Sequence, residues 1–209
     1  MDDLQPHWTH TWTHTWTALG MRAPSDELFR AVCRRYAEPH RKYHTLQHLR
    51  ECLALCERDS ALAERPAEVS IALWFHDAIY EHGRSDNEAA SAAWARSALL
   101  DAGASTALAD RVAALVMATR HSAEVPSTPD AQLLVDIDLA ILGAKPARFS
   151  EYEQQIRDEY QHVPQAVFAL KRREVLQSFL DREHLYATPT YRARYEARAH
   201  ANLQTAIGG

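Results

Sequence analysis

Apolar residues recur at three- and four-residue spacing along most of this chain, and helix start and stop signals punctuate them. Ser25, followed by Asp26 and Glu27, reads as an N-cap opening "DELFRAVCRRYA". Pro39 interrupts, and Thr45 can cap "LQHLRECLALCER". Pro66 fits a first helical position ahead of "AEVSIALWFHDAIY", and Gly83 breaks that run. Ser85 with Glu88 three residues on makes a capping box before "AASAAWARSALL". Ser105 starts "ALADRVAALVMATRH", and Asp130 begins "AQLLVDIDLAIL" with Gly143 at C′. Ser150 caps "EYEQQIRDEYQ", Pro164 opens "QAVFALKRREVLQSFLDR", and Thr190 opens a last helix towards Leu203. No alternating β pattern is sustained over this stretch and no solenoid period repeats. The pattern predicts an all-α globule of about eight or nine helices, one domain over residues 24–209.

Residues 1–23 differ. In "HWTHTWTHTWTALG", His10 and His14 recur at four-residue spacing, as do Trp12 and Trp16. A helix would set each pair on one side, while the interleaved threonines suit a strand equally. Two readings follow: a surface metal site, or a loosely held tail with Trp16 tucked into the core, and the second is the expectation.

Composition narrows the class. The 209 residues are 46% hydrophobic, enough for a core, and the net charge of −5 leaves no basic footprint for nucleic acid. Cys33, Cys52 and Cys56 form no CxxC pair, which fits a reducing cytoplasmic setting, and they read as small buried hydrophobes. No apolar run reaches the length of about 18 residues that a membrane span needs, and no signal peptide is visible. Twelve histidines make metal or acid–base chemistry worth testing.

Polar groups interrupt apolar helix faces at His48, at the pair His76-Asp77, and at Asp136 and Asp138. A divalent cation explains the pattern economically, because neutral imidazoles with carboxylates suit a mixed nitrogen–oxygen site. Adjacent helical residues diverge by about 100°, so His76 and Asp77 share an ion only if it sits at the edge between them. Asp136 and Asp138 flank their apolar face on opposite sides. Only one can face the site, and the other should be solvated or orient a neighbour.

The ordered set Tyr43-His44-x-x-x-His48, His76-Asp77, Asp138 resembles the HD superfamily of metal-dependent phosphohydrolases, which are all-α enzymes. "YHTLQH" is similar to the "YHNxxH" signature of cyclic-nucleotide phosphodiesterases, and "DLAILGAKP" to their "DLSAI-x-KP". Small bacterial predicted HD phosphohydrolases share "YH-x-x-x-H", "W-x-HD-x-x-Y", "SDNE" and "D-x-DL-x-ILG" in this order. The resemblance runs from about residue 24 to the C-terminus. It implies that His48, His76, Asp77 and Asp138 hold a divalent ion (Mn, Fe, Co, Ni, Zn or Mg), and it selects Asp138 over Asp136. His44 then protonates the leaving oxygen, and Asp77 also helps position water. Glu88 is either a helix cap or the carboxylate that orients the attacking water, as is Asp86 nearby. His82 and His121 are candidates for a second ion or for hydrogen bonds around the first. Among the cations Arg120, Lys145, Arg157, Lys171, Arg172 and Arg173, the stretches "IRDEYQHV" and "KRREVL" favour Arg157, Tyr160 and Lys171 for substrate.

The expected activity is hydrolysis of a phosphate ester, in a nucleotide or another small phosphorylated metabolite, by a metal-bound hydroxide. Two alternatives stand beside it: a di-iron oxygenase on the same scaffold, and a metal- or nucleotide-binding module without turnover. Oligomeric state does not follow from the sequence.

Overall fold

The computed structural model describes residues 6–120 and 126–208, of which none forms a strand. The helices are α1 (Pro6–Ala18), α2 (Asp26–Tyr36), α3 (Leu46–Arg58), α4 (Pro66–Phe75), α5 (Asn87–Asp101), α6 (Thr106–Ala118), α7 (Pro129–Asp138), α8 (Pro146–Glu159), α9 (Gln165–Leu180), α10 (Pro189–Tyr191) and α11 (Ala197–Gly208). Short 3₁₀ turns cover Ser60–Leu62 and Leu139–Gly143, and a π-helical turn over Arg192–Glu196 joins α10 to α11. Among the described residues, no helix is long and apolar enough to cross a membrane.

Helix α4 is the axis of the molecule. Its Val69, Ile71, Ala72, Leu73, Trp74 and Phe75 are fully buried, and it packs against α1, α3, α5, α6 and α7. A helix apolar all round is stable only where neighbours cover every side, and that is its position here. Its one buried acid, Glu68, is neutralised by Arg111 of α6, whose Nε lies 2.9 Å away.

Residues 6–18 are not a loosely held tail. They form α1, and Trp8, Trp12 and Trp16 fall on one stripe, all buried. Trp12 packs edge-on against Trp74 of α4 at 5.1 Å and lies 5.8 Å from Phe29 of α2. Thr15 meets Ser70 of α4 through a 2.9 Å hydrogen bond, while His10 and His14 stay on the exposed face. The threonines do not impose a strand because three indoles on one helical stripe bury far more apolar surface than strand propensity is worth.

Several boundaries also depart from the pattern. Helix α4 stops at Phe75 instead of running to Tyr80, and α7 stops at Asp138. Thr128 caps α7, Thr188 caps α10, α8 begins at Pro146, and α5 starts at Asn87 with Asp86 at its N-cap, so Ser85 forms no capping box. Gly143 answers a close approach rather than a left-handed cap: a Cβ there would sit 2.6 Å from the Cβ of Tyr195.

Truncating the central indole tests the role of α1. Trp12→Ala should lose about 3–5 kcal/mol in urea unfolding. Trp12→Phe should lose less than about 1.5 kcal/mol, since the indole N–H has no partner to forfeit. An unchanged midpoint in Trp12→Ala would mean that α1 is not part of the core.

Candidate metal centre and its pocket

Three helix ends meet at one point. His48 projects from the first turns of α3, His76 and Asp77 follow the last residue of α4, and Asp138 closes α7. Helix α3 starts where it does because the Thr45 side chain accepts a hydrogen bond from the Gln47 N–H. Stopping α4 at Phe75 frees Asp77 from the helical wheel, so adjacent His76 and Asp77 can turn to the same side. Helix C-termini carry partial negative charge, so the ends of α4 and α7 add a field that favours a cation.

Several carbonyls around these stops find side-chain donors. Arg41, buried between loops, donates from Nη1 to the Asp77 and His44 carbonyls (2.5 and 3.3 Å) and from Nη2 to the Ala78 carbonyl (3.2 Å). Its guanidinium lies over the rings of Tyr36 and Tyr80. Beyond α7, Tyr186 Oη donates to the Leu139 carbonyl and Asn202 to those of Leu142 and Ala144. Asp136 is fully buried and points away from the cluster. Its two oxygens accept from the Ala187 and Thr188 N–H groups at 2.7 and 2.8 Å, and burial pushes its carboxyl up to about 6 against those bonds.

The donor atoms lie at the separations of groups around a common ion, about 3 Å apart when each is about 2.1 Å from it. His48 Nε2 is 3.1 Å from His76 Nε2, 3.0 Å from Asp138 Oδ1 and 3.5 Å from Asp77 Oδ2. His76 Nε2 is 3.1 Å from Asp77 Oδ2 and 3.5 Å from Asp138 Oδ1. His76 Nδ1–H donates to the Leu73 carbonyl at 2.8 Å, which leaves the Nε2 lone pair for the cluster. Cys52 adds a sulfur 3.7 Å from both ring nitrogens of His48, and His48, Cys52, His76 and Asp138 bring donor atoms within 4.8 Å of one another. Asp77 stands nearer to both imidazoles than that sulfur does to His48, so the carboxylate is the better fourth donor and Cys52 borders the set. Without an ion these groups must share protons. Burial drives against charge, yet His76 and His44 hold the Asp77 carboxyl well below the usual range. These residues fit a divalent ion, and among the described residues the donors gather at this one place.

His44 stands beside the cluster, its ring 6.2 Å from that of His48. Its Nδ1 is 2.8 Å from Oε2 of Glu159, the last residue of α8, and its ring stacks on Tyr80 at 4.0 Å. Glu159 is buried, and its Oε1 accepts from the consecutive N–H groups of Lys42, Tyr43 and His44 at 2.8–3.0 Å. Tyr80 Oη also donates to Oε2, at 3.2 Å. Burial would raise the Glu159 carboxyl, but His44 and these donors bring it down to about 2, so it is an anion that only accepts. The proton between Glu159 and His44 therefore sits on Nδ1, which leaves Nε2 as the ring nitrogen open to the pocket.

That pocket, about 610 Å³, is lined by His44, His76, Asp77, Glu88, Asp138, Tyr160 and Lys171 among others. The remaining expected residues fall elsewhere. Arg157 donates to the Tyr160 and Val163 carbonyls at 2.8 and 3.1 Å and lies over Phe168, so its guanidinium ties off the end of α8. Asp86 is exposed and paired with Arg84 at 2.8 Å. His82 packs among the rings of His40, Tyr160 and His162, with its Nε2 buried and unpartnered. His121 lies outside the described residues. Sequence reasoning passed over Arg41 and Glu159, and it read Cys52 as a small buried hydrophobe although its sulfur borders the donor cluster. Glu159 sits inside the quoted "IRDEYQHV", where its flanking Arg157 and Tyr160 drew attention instead.

No protein-family model, no curated protein and no solved structure matches the chain.

Two measurements test this geometry. Added Mn(II) or Zn(II) should bind at about one ion per chain and, at a hundred times its Kd, raise the unfolding free energy by about 2.7 kcal/mol. His48→Ala should abolish both effects, and an unchanged ion content in that variant would refute the site. Glu159, with its carboxyl held below the value of the unfolded chain, stabilises the fold above pH about 4.5, and the gain fades as pH falls towards about 2. Glu159→Gln should cost about 3 kcal/mol at neutral pH and progressively less in acid. A penalty that does not shrink on acidification would count against this assignment.

Proposed function

We propose that this protein hydrolyses a phosphate ester of a small molecule with the help of a divalent ion. The observation that carries the proposal is the neighbourhood of two groups: the four donors of His48, His76, Asp77 and Asp138, three of which line the pocket, and beside them a pocket histidine whose Nδ1 is fixed by a buried carboxylate. The resemblance of "YHTLQH", "HD" and "DLAILG" to the HD superfamily of phosphohydrolases supports the same chemistry.

A divalent ion bound by His48, His76, Asp77 and Asp138 would supply Lewis-acid activation of water and of a phosphoryl oxygen. His44 carries the leaving-group proton on Nε2 and delivers it to the ester oxygen as the P–O bond breaks. Glu159 holds the other ring nitrogen and stabilises the imidazolium before the transfer, and Tyr80 keeps the ring plane fixed from one face. Glu88, on the same pocket wall, is the carboxylate available to accept the proton of the attacking water. The products are a phosphate and an alcohol, and His44 regains its proton from solvent.

Phosphate or alcohol release from a broad ester panel, with Mn, Co, Ni or Mg added, tests the proposal. His44→Gln should lower kcat by about 10²–10⁴-fold while ion binding persists. Full turnover in the double variant His76→Ala, Asp77→Ala would overturn the proposal, as would tight ligand binding with no product from any metal-loaded preparation.

A further inference from the structure

The pocket is far larger than a phosphoryl group needs, and its wall changes character away from the donor cluster. Ile141 and Leu142 of the 3₁₀ turn, Ile156 of α8, Val163, and Phe168 and Phe179 of α9 line the remainder. Several polar side chains on this wall are already committed, while the Tyr43 hydroxyl is buried without a hydrogen-bond partner. Asn87 holds the Glu81 backbone through both its amide oxygen and nitrogen, Thr119 donates to the Val116 carbonyl, and Tyr80 donates to Glu159. No glutamine or serine lines it. A buried surface built to recognise a nucleobase presents hydrogen-bonding groups to the base edge, because a base left unpaired there pays for its desolvation.

Charge points the same way. The lining cations besides histidine are Lys171 and Arg172, against the lining acids Asp77, Glu88 and Asp138. Lys171 is exposed and paired with Glu174 at 2.8 Å. Arg172 is largely enclosed, its Nε and Nη2 held by Glu153 while its guanidinium covers the Tyr152 ring at 5.0 Å. A di- or triphosphate chain needs several convergent cations, whereas one rigidly held guanidinium suits one anionic head.

Helix α9 extends the apolar wall outwards. Of the four exposed large hydrophobic side chains among the described residues, three lie on it: Val167, Leu170 and Val175. Val175 is 46% exposed and lines the pocket. Val175 therefore carries the apolar wall to the rim, where it can meet the end of an apolar body.

From this composition we infer the substrate class, resting on the hydrolase proposed above: a monophosphate ester of an apolar alcohol, its single head between the donor cluster and Arg172 and its body along the wall from Ile156 to Val175. Titration calorimetry of the metal-loaded full chain with methyl-, butyl- and octylphosphonate tests the body apart from turnover. Affinity should rise about threefold to fourfold per methylene while the chain lies in the pocket. Adenosine mono- and triphosphate should bind no better than methylphosphonate. Val175→Asp, an exposed substitution whose fold circular dichroism would verify, should weaken octylphosphonate binding about tenfold. Chain-length-independent affinity, tighter binding of either adenosine phosphate, or unaltered octylphosphonate affinity in folded Val175→Asp would overturn the inference. Phosphonate binding that gains with chain length, with no ester hydrolysed, would uphold the apolar substrate pocket and refute the hydrolase. Nucleotides turned over faster than alkyl or aryl monophosphates would do the reverse.

Discussion

The carboxylate of Glu159 is the interaction on which the geometry of the site depends. It takes three consecutive backbone N–H groups with one oxygen, and an imidazole and a phenol with the other. Five donors on one buried anion offset the cost of removing it from water. They also lock the loop before α3 to the end of α8, and so set the register at which His48 enters the core four residues after His44. Arg41 performs the complementary task with opposite charge. It gathers the carbonyls at the end of α4 and so holds the turn that carries His76 and Asp77. One buried anion and one buried cation thus fix two loops whose flanking helices supply the donor cluster.

The rest of the fold reads as support for these stops. Ending α4 and α7 early exposes carbonyls inside the protein, and each needs a donor. The segment from Tyr186 to Asn202 supplies several of them, while Asp136 anchors that segment in return. Beneath the site, α4 is wrapped on every side and α1 closes its far face with three indoles. This packing makes the base of the cluster rigid, so the donors can stand about 3 Å apart with little freedom to separate. The opposite side is looser. Helix α9 buries only Leu176 and Phe179 and turns apolar residues to the pocket mouth and to solvent, which suits a wall that meets a ligand more than one that meets a core.

Much of the site was legible because its donors interrupt strongly apolar runs, where an unpaired imidazole or carboxylate is costly and so stands out. His48, His76, Asp77 and Asp138 are all of this kind, as is the position of His44 ahead of a threonine cap. Glu159 and Arg41 were not legible. They occur in charged stretches that look like any solvated helix end, and nothing local says that the group is buried. The same blindness misassigned Arg157, whose guanidinium serves carbonyls of its own helix end, and hid Trp8 and Trp12 of α1, which share the buried stripe of the expected Trp16 behind their threonine neighbours.

By itself the sequence determined the helical class, several helix starts, the apolar central helix and the polar residues that interrupt apolar faces, because periodicity, capping and the cost of burial act over a few residues. Tertiary structure alone decided where α4 and α7 end, which of Asp136 and Asp138 turns to the cluster, and which carboxylate holds His44. Those choices depend on partners more than thirty residues away, such as Arg41 for the end of α4, Ala187 for Asp136 and Glu159 for His44. A hydrogen bond between distant segments leaves no periodic trace in either of them.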